Sequence, residues 1–590
     1  MNTPADFYKT QIEENTLALK SIKKQLYLSS MLRLLFFIAV CAAVYFTFGN
    51  AKWVIAIIIL GIVGFVFMVT RHNELQYKRD LKKQLIAINT TELEVLNRNF
   101  HHLPSGENFA DSLHVYSQDI DLFGRGSFYQ YLNRTALESG SVELARLLTE
   151  NGIDNISEKQ AAVKELSEIP LWRQRFSGIA SLLKTEVDVK TVKEILDNYS
   201  SFVPKWIGRV SAAFTVISGA LLTGWFMELL SGYYVFGWFL LGLVITGKYL
   251  KKINELSLKA SKIQGTFQQY HKLLQEVEVN EFTSPLLAEM RVLVADRDHK
   301  ASSILRSFAK HLDALDQRNN MLIGVLANGF LLRDLKVISQ IEKWIDKHHS
   351  DVEHWFDVIA FFDAYNSLGN FNFNHPNYVF PEIIDGNSVL NVRGAGHPLL
   401  NPEGMVRNDL RIDKEKFFII TGANMAGKST FLRTVALQIV MGNIGLPVCA
   451  EKSEYSPIKL ITSMRTTDSL TDDESYFFSE LKRLKFIVDQ IKTDHYFIIL
   501  DEILKGTNST DKAIGSRKFV EKLVASNSTG VIATHDLSLC EASEKLSDVE
   551  NYFFDARIEN DELYFDYTFK PGICQNMNAS FLLKKMQIID

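Results

Sequence analysis

The sequence predicts a multi-domain chain: α-helical membrane hairpins, a helical core and lever domain, and a C-terminal α/β P-loop domain. Three observations carry that prediction. Two pairs of charge-free apolar runs interrupt a chain otherwise rich in charge. Around them, apolar residues recur at helical spacing. From residue 417 onward, apolar strand runs alternate with helical segments, and the first run feeds directly into TGANMAGKST.

Composition sets the frame. A length of 590 residues suggests about three or four domains. That is too long for a peptide hormone or a lone binding module. With 47% hydrophobic and 23% charged residues the chain is too apolar for disorder, and 12 prolines with 32 glycines exclude a fibrous or low-complexity protein. A net charge of −5 gives no global basic field of the kind that announces nucleic acid, which leaves a local surface open. The mean hydropathy of −0.00 is high for 64 basic and 69 acidic side chains, and points to very apolar segments beside a soluble body. Cys41, Cys449, Cys540 and Cys574 form no CxxC pair and no metal spacing, and His101-His102 has no partner at metal spacing.

Residues 1–30 carry Ile12, Leu19 and Leu26 at heptad spacing, the mark of a short amphipathic helix. A first membrane hairpin follows over 31–72. Leu34 to Ala51 and Trp53 to Thr70 are uncharged, with only Lys52 between them, and each approaches the ~20 apolar residues that cross a bilayer. Over 73–110, Leu81, Leu85 and Ile88 continue a charged helix, either a stalk or a helix packed on the body. Residues 111–205 read as a helical core. The second hairpin, 206–250, runs from Val210 to Met227 and from Leu229 to Gly247, split by Glu228. Residues 251–385 return to long helices, including Leu322 to Leu335, and 386–590 form the P-loop domain.

Trp53, Tyr233, Tyr234 and Trp238 sit near the hairpin turns, where amphipathic rings favour the interface. Lys20, Lys23, Lys24 and Arg33 precede the first hairpin, and Arg71, Lys78 and Arg79 follow it. Lys205 and Arg209 precede the second, and Lys248, Lys251 and Lys252 follow it. The positive-inside rule therefore places the N-terminus, the core and the P-loop domain in the cytoplasm, with four spans in the lipid bilayer. The span interiors hold no acidic or basic residue, so the sequence offers no ion or proton path.

The strand Phe417 to Ile420 leads into Thr421 and then Gly422, Ala423, Asn424, Met425, Ala426, Gly427, Lys428, Ser429 and Thr430, and a helix follows. This is GxxxxGK[ST] in its strand–loop–helix context. Backbone amides at the helix start can wrap phosphate oxygens, Lys428 can neutralise the β- and γ-phosphates, and Ser429 can ligate Mg²⁺. A second strand run, Tyr496 to Leu500, ends in Asp501-Glu502. Asp501 is placed for the magnesium shell, and Glu502 to polarise a water as general base. A third, Gly530 to Ala533, ends in Thr534-His535, an imidazole placed to sense the γ-phosphate.

Together TGANMAGKSTFLRT, ILDEILKGTNSTD and ATH resemble the ATPase domain of the MutS mismatch-repair family, within the ABC-type ATPase class. The resemblance implies ATP with Mg²⁺, a homodimer formed through the ATPase domain, and DNA as partner. The segment Asp472 to Glu480 resembles the family's signature, which assigns Ser475 to the γ-phosphate of the opposite subunit. Asp511 matches the subunit-interface loop, and Gly396-His397-Pro398 with Asn408-Asp409 resembles the motif that opens the domain. Tyr567 takes the place of the adenine-stacking ring. Met405 stands where an aromatic is common on the other side, Ala423 replaces a proline, and Lys505 replaces an arginine.

Upstream, Asp119 to Gly124 with Leu132 to Thr135 resembles the start of the MutS core, and Trp355 to Pro381 its closing helices. The resemblance covers Asp111 to Asp590. Before Asp111 no Phe-x-Glu wedge of a mismatch-reading domain occurs. Phe226-Met227-Glu228 matches that wedge only by letters, at a membrane turn. The expectation is a membrane-anchored MutS-like ATPase lacking the N-terminal mismatch-reading domain. It would act on DNA, the family role being mismatched DNA binding and repair. The alternatives are an ATP-driven membrane switch or transport-like machine without DNA, and a scaffold that binds ATP without hydrolysis, against which Glu502 argues. An LSGGQ pattern, as in ABC transporters, does not occur in the signature segment.

Overall fold

Two long helices make up most of the first hundred residues in the computed structural model, which describes residues 3–183, 187–295, 300–319, 321–465, 476–505, 507–559 and 562–575. Helix α1 (Pro4–Phe46) opens on a capping box in which Thr3 and Asp6 satisfy each other's backbone amides, with Pro4 in the first turn. Helix α2 (Ala51–Leu96) runs back beside it: Lys82 donates to Asn15 at 2.8 Å and His72 faces Ser29 at 3.2 Å. Gly61 and Gly64 allow the close approach, since a Cβ at Gly64 would lie 2.6 Å from the Phe36 ring. Both helices pass unbroken through positions 30 and 72, where the sequence reading divides the chain. No proline falls inside either helix to end it, so each apolar run and its charged extension form one rod.

Between a free stalk and a helix packed on the body, the structure shows packing. The body begins with α3 (Phe128–Leu132), α4 (Glu138–Thr149), α5 (Ile156–Glu168), α6 (Pro170–Ala180) and α7 (Val189–Asp197). Asn89 on α2 exchanges amide hydrogen bonds of 3.1 and 2.9 Å with Gln174 on α6. Buried Glu92 accepts from Arg134 at 2.6 Å, and the buried Tyr8 hydroxyl of α1 donates to Asn374 at 2.7 Å.

The second apolar hairpin is α8 (Ile207–Phe226) and α9 (Gly232–Gly247), joined through Glu228 at φ +64°. Beyond it lie α10 (Leu250–Val279), α11 (Pro285–Val292), α12 (Ala301–Asp316), α13 (Met321–Leu331), α14 (Arg333–His348) and α15 (Val352–Asn374). α15 is the buried axis of the body. Its Asp363, fully buried, accepts from the amides of Ala136 and Leu137 at 2.9 Å and so holds the start of α4. The stretch Leu322 to Leu335, expected as one long helix, is divided: Leu332 adopts φ +49° and separates α13 from α14. Among the described residues three helices are long and apolar enough to cross a membrane, namely α1, α2 from Trp53, and α8; α9 meets that test only with α10, from which it bends by 64°.

The C-terminal α/β region holds two sheets. The smaller has the order β1-β5-β2-β3, from β1 (Glu382–Ile383), β2 (Ser388–Ala395), β3 (Asn408–Asp413) and β5 (Lys452–Tyr455). The larger is β10-β9-β4-β8-β7-β6, with β4 (Phe417–Gly422), β6 (Lys459–Ser463), β7 (Tyr496–Asp501), β8 (Thr529–Ala533), β9 (Val549–Glu559) and β10 (Glu562–Pro571). Its strands pair in parallel except for the β9–β10 edge. β4 and β8 are buried along their whole length, as central parallel strands covered on both faces must be. The helices α16 (Lys428–Asn443), α17 (Tyr476–Gln490), α18 (Ser509–Ala525) and the short α19 (Ala542–Lys545) complete the region. Asp119 ties the body to it, accepting from Thr462 at 2.5 Å and from the Arg465 amide at 2.8 Å.

Candidate nucleotide site

Three parallel strands, β4, β7 and β8, deliver their C-terminal ends to one cavity of about 620 Å³. The loop after β4 turns through Met425 at φ +66° and Gly427 at φ +102° before α16 begins at Lys428. Gly427 is required twice over: its backbone is left-handed, and a Cβ there would meet the Tyr567 ring at 3.1 Å. The first-turn amides of α16, which lack intrahelical acceptors, are left for an anion.

Ala423, Asn424, Met425, Gly427, Lys428, Ser429 and Thr430 line this cavity together with Asp501, Glu502, His535 and Tyr567. Gly422 and Ala426 do not line it. Gly422 lends its carbonyl to the Lys428 ammonium, and Ala426 is fully buried beneath the loop. Ser475 lies outside the described residues. Asp511 lies in the first turn of α18, where its amide donates to Asn508.

Within the cavity the polar groups are already paired with one another. Lys428 Nζ donates to the carbonyls of Gly422 at 2.7 Å and Ala423 at 3.0 Å, and lies 3.3 Å from His535 Nε2. Burial pushes its ammonium below the usual lysine range. Ser429 donates to Asp501 at 2.7 Å, while burial raises the Asp501 carboxyl. These two oxygens lie side by side at the mouth of the loop and fit a P-loop magnesium, which takes few protein ligands and completes its shell with water and phosphate oxygens. Among the described residues no cluster of three or more His, Cys, Asp or Glu side chains could cage a metal by itself.

Glu502 sits just past β7 at φ +51°, with its amide donating to Ala533 at 2.9 Å. His535 Nε2 lies 2.7 Å from Glu502 Oε1, and Lys505 lies 3.6 Å from Oε2. The His535 hydrogen bond is the main reason that the Glu502 carboxyl falls to about 2.

Two residues that the motifs include, but to which they assign no role, position the site. Glu480, buried on α17, accepts from the amides of Leu504 at 2.5 Å and Lys505 at 3.1 Å, and so pins the loop that carries Glu502. On the sequence expectation that Glu502 is the base of an ATPase, Glu480→Ala should slow ATP turnover by roughly tenfold, because the carboxylate loses alignment while the loop around Lys428 is untouched. Turnover at saturating ATP measures this, and an unchanged rate contradicts it. Asn408 is the second: its amide donates to the Tyr567 carbonyl at 3.0 Å and its oxygen accepts from the Phe569 amide at 2.7 Å. It thereby holds Tyr567 in a left-handed bulge, φ +52°, with the ring against the cavity. Met405 and His397 line the same cavity.

Buried histidines bear on stability. His375 Nδ1 donates to the Phe371 carbonyl at 2.7 Å and its Nε2 lies 2.8 Å from the Tyr131 hydroxyl, and burial pushes both His375 and His397 down to about 4. In the unfolded chain each titrates near ~6.5, so the unfolded state takes up protons first as pH falls. The stability is fully present above that value and is lost progressively toward pH 4. At pH 5.5 each is expected to cost about 1 kcal/mol, read as an unfolding midpoint lower than at pH 7.5. Equal midpoints contradict this.

Residues 418–586 match the family MutS domain V. Over 431 residues the chain is 26% identical to the DNA mismatch repair protein MutS of Fusobacterium nucleatum, covering 71% of this chain and 45% of that protein. It is 31% identical over 240 residues to the DNA mismatch repair protein MutS of Finegoldia magna, covering 39% of this chain and 28% of that one. With that of Methanococcoides burtonii the identity is 31% over 246 residues, 40% of this chain and 27% of the relative. The chain thus spans less than half the length of these curated relatives.

Proposed function

The chain belongs to the MutS family through its domain V, and from that premise we propose that it is a membrane-anchored ATPase that works as a dimer and acts on DNA. The observation that carries the reading is the convergence of Lys428, the Ser429–Asp501 pair and the Glu502–His535 pair on one cavity at three strand ends. ATP enters with its phosphates against the α16 amides, and Lys428 exchanges its loop carbonyls for phosphate oxygens. Ser429 and Asp501 would hold Mg²⁺, which when bound would supply charge neutralisation on the phosphates.

Glu502 is too weak a base while His535 holds it near 2. When His535 turns to the γ-phosphate, the Glu502 carboxylate regains basicity and accepts a proton from the attacking water. The water oxygen bonds to the γ-phosphorus, the bond to the β–γ bridging oxygen breaks, and ADP departs with that electron pair. Ser475 reaches the γ-phosphate from the partner copy, so each site needs two chains. Hydrolysis then switches the helical body between two arrangements.

DNA enters through the names of the relatives. The test is ATP turnover by the full chain in vesicles across perfect, mismatched and branched duplexes at low salt. At least one DNA structure should stimulate turnover, with binding that weakens as salt rises. Absence of binding to every structure contradicts the DNA assignment. Retained turnover with ATP-dependent solute movement would favour the membrane-machine reading, which the unbroken passage of α2 from apolar run to body supports.

A further inference from the structure

Helix α13 is short, yet Met321–Leu331 contains no charged residue. It packs against both helices of the second apolar hairpin. Gly242 of α9 faces the α13 backbone so closely that a Cβ there would fall 2.3 Å from the Gly329 carbonyl oxygen, and the Phe239 ring lies tilted against Phe330 with ring centroids 5.1 Å apart. The end of α13 bonds to α8: Ser218 donates to the Phe330 carbonyl at 2.6 Å and Ser211 to the Leu331 carbonyl at 2.9 Å. Trp238 in turn donates to Ser218 at 2.8 Å.

These partners fix the depth. Ser211 and Ser218 lie about 6 Å and about 16 Å along α8 from Ile207, at 1.5 Å per residue, from inside the cytoplasmic edge to about the midplane of a ~30 Å hydrocarbon core. A helix end at that depth has no water for its last carbonyls, so hydroxyls from a neighbouring helix must satisfy them, as Ser211 and Ser218 do. The face turned away is apolar and open, with Val325 40%, Leu326 56% and Leu331 40% exposed. Charges resume immediately outside: Arg318 lies 3.2 Å from Asp334, and Arg333 donates to Gln317 at 2.8 Å, so the chain leaves and returns at one level.

We propose that α13 is a fifth membrane-embedded helix, a re-entrant insert in the cytoplasmic leaflet whose open face is covered by lipid acyl chains. This rests on reading α8 and α9 as membrane-spanning. It gives the body a second attachment, because α12 and α14 on either side of the insert belong to the helical body, and any rearrangement of those helices moves a lipid-embedded element.

Single cysteines test it in the full chain carrying Cys41→Ser, the remaining native cysteines being buried. The sites are Leu326→Cys on α13, Val216→Cys as a lipid-facing control on α8 and Leu258→Cys as an aqueous control on α10, each exposed in the structure. The protein is placed in vesicles with its nucleotide domain outward and treated with a membrane-impermeant maleimide. Leu326→Cys and Val216→Cys should react at least roughly tenfold more slowly than Leu258→Cys, and all three should react alike after detergent. Rapid labelling at Leu326→Cys with Val216→Cys still protected overturns the insert and leaves the spans standing. Rapid labelling at Val216→Cys overturns the membrane reading itself. Protection at Leu326→Cys that survives detergent assigns the face to a protein contact and overturns the lipid assignment.

Discussion

Glu502→Gln is expected to lower ATP turnover by roughly 10²- to 10⁴-fold, the range of a lost general base, while ATP binding stays within about twofold. The substitution keeps the side chain's size, its contact with His535 and its strained backbone, and removes only the carboxylate that accepts the water proton. A site that merely holds nucleotide would be indifferent to it. Turnover and equilibrium nucleotide binding, measured on the same preparation, separate the two cases. Normal turnover in this variant would mean that the proton goes elsewhere and that the pairing of Glu502 with His535 is structural.

Lys428→Ala should instead remove binding, lowering ATP affinity on the order of 10²-fold through the loss of charge-assisted phosphate contacts. The same ammonium bridges the carbonyls of Gly422 and Ala423, so the empty loop also loses its internal tie. An unfolding midpoint close to that of the parent chain shows that the fold survives. Affinity unchanged in a folded Lys428→Ala protein contradicts the phosphate assignment. The contrast between the two variants is diagnostic: one binds without turning over, the other does neither.

Much of this site is readable before any coordinates, for a physical reason. The residues proposed to meet phosphate and water stand at fixed offsets from buried strand ends, so β4, β7 and β8 announce both themselves and Lys428, Asp501 and His535. Contacts made across long sequence separations carry no such signal. Asn408 finds Tyr567 159 positions away, and Glu480 caps a loop 24 positions on. Their motifs mark the segments, but nothing in them tells which distant loop Asn408 or Glu480 will hold.

The apolar runs are equally legible, but their limits are not. No residue type marks positions 30 or 72, and the helices pass through. Leu332, a fully buried residue, breaks a helix by adopting a left-handed backbone that leucine seldom takes and that propensity does not signal.

The proposed sharing of the site between two chains is tested by complementation. Lys428→Ala and Ser475→Ala chains are each prepared as inactive proteins and then assembled together in vesicles. A mixed dimer contains one site with an intact loop and a Ser475 from its partner. Random pairing therefore predicts turnover near a quarter of the parent value, roughly half the dimers being mixed with one working site each. Turnover no greater than the sum of the two separate proteins would contradict a site built from two chains.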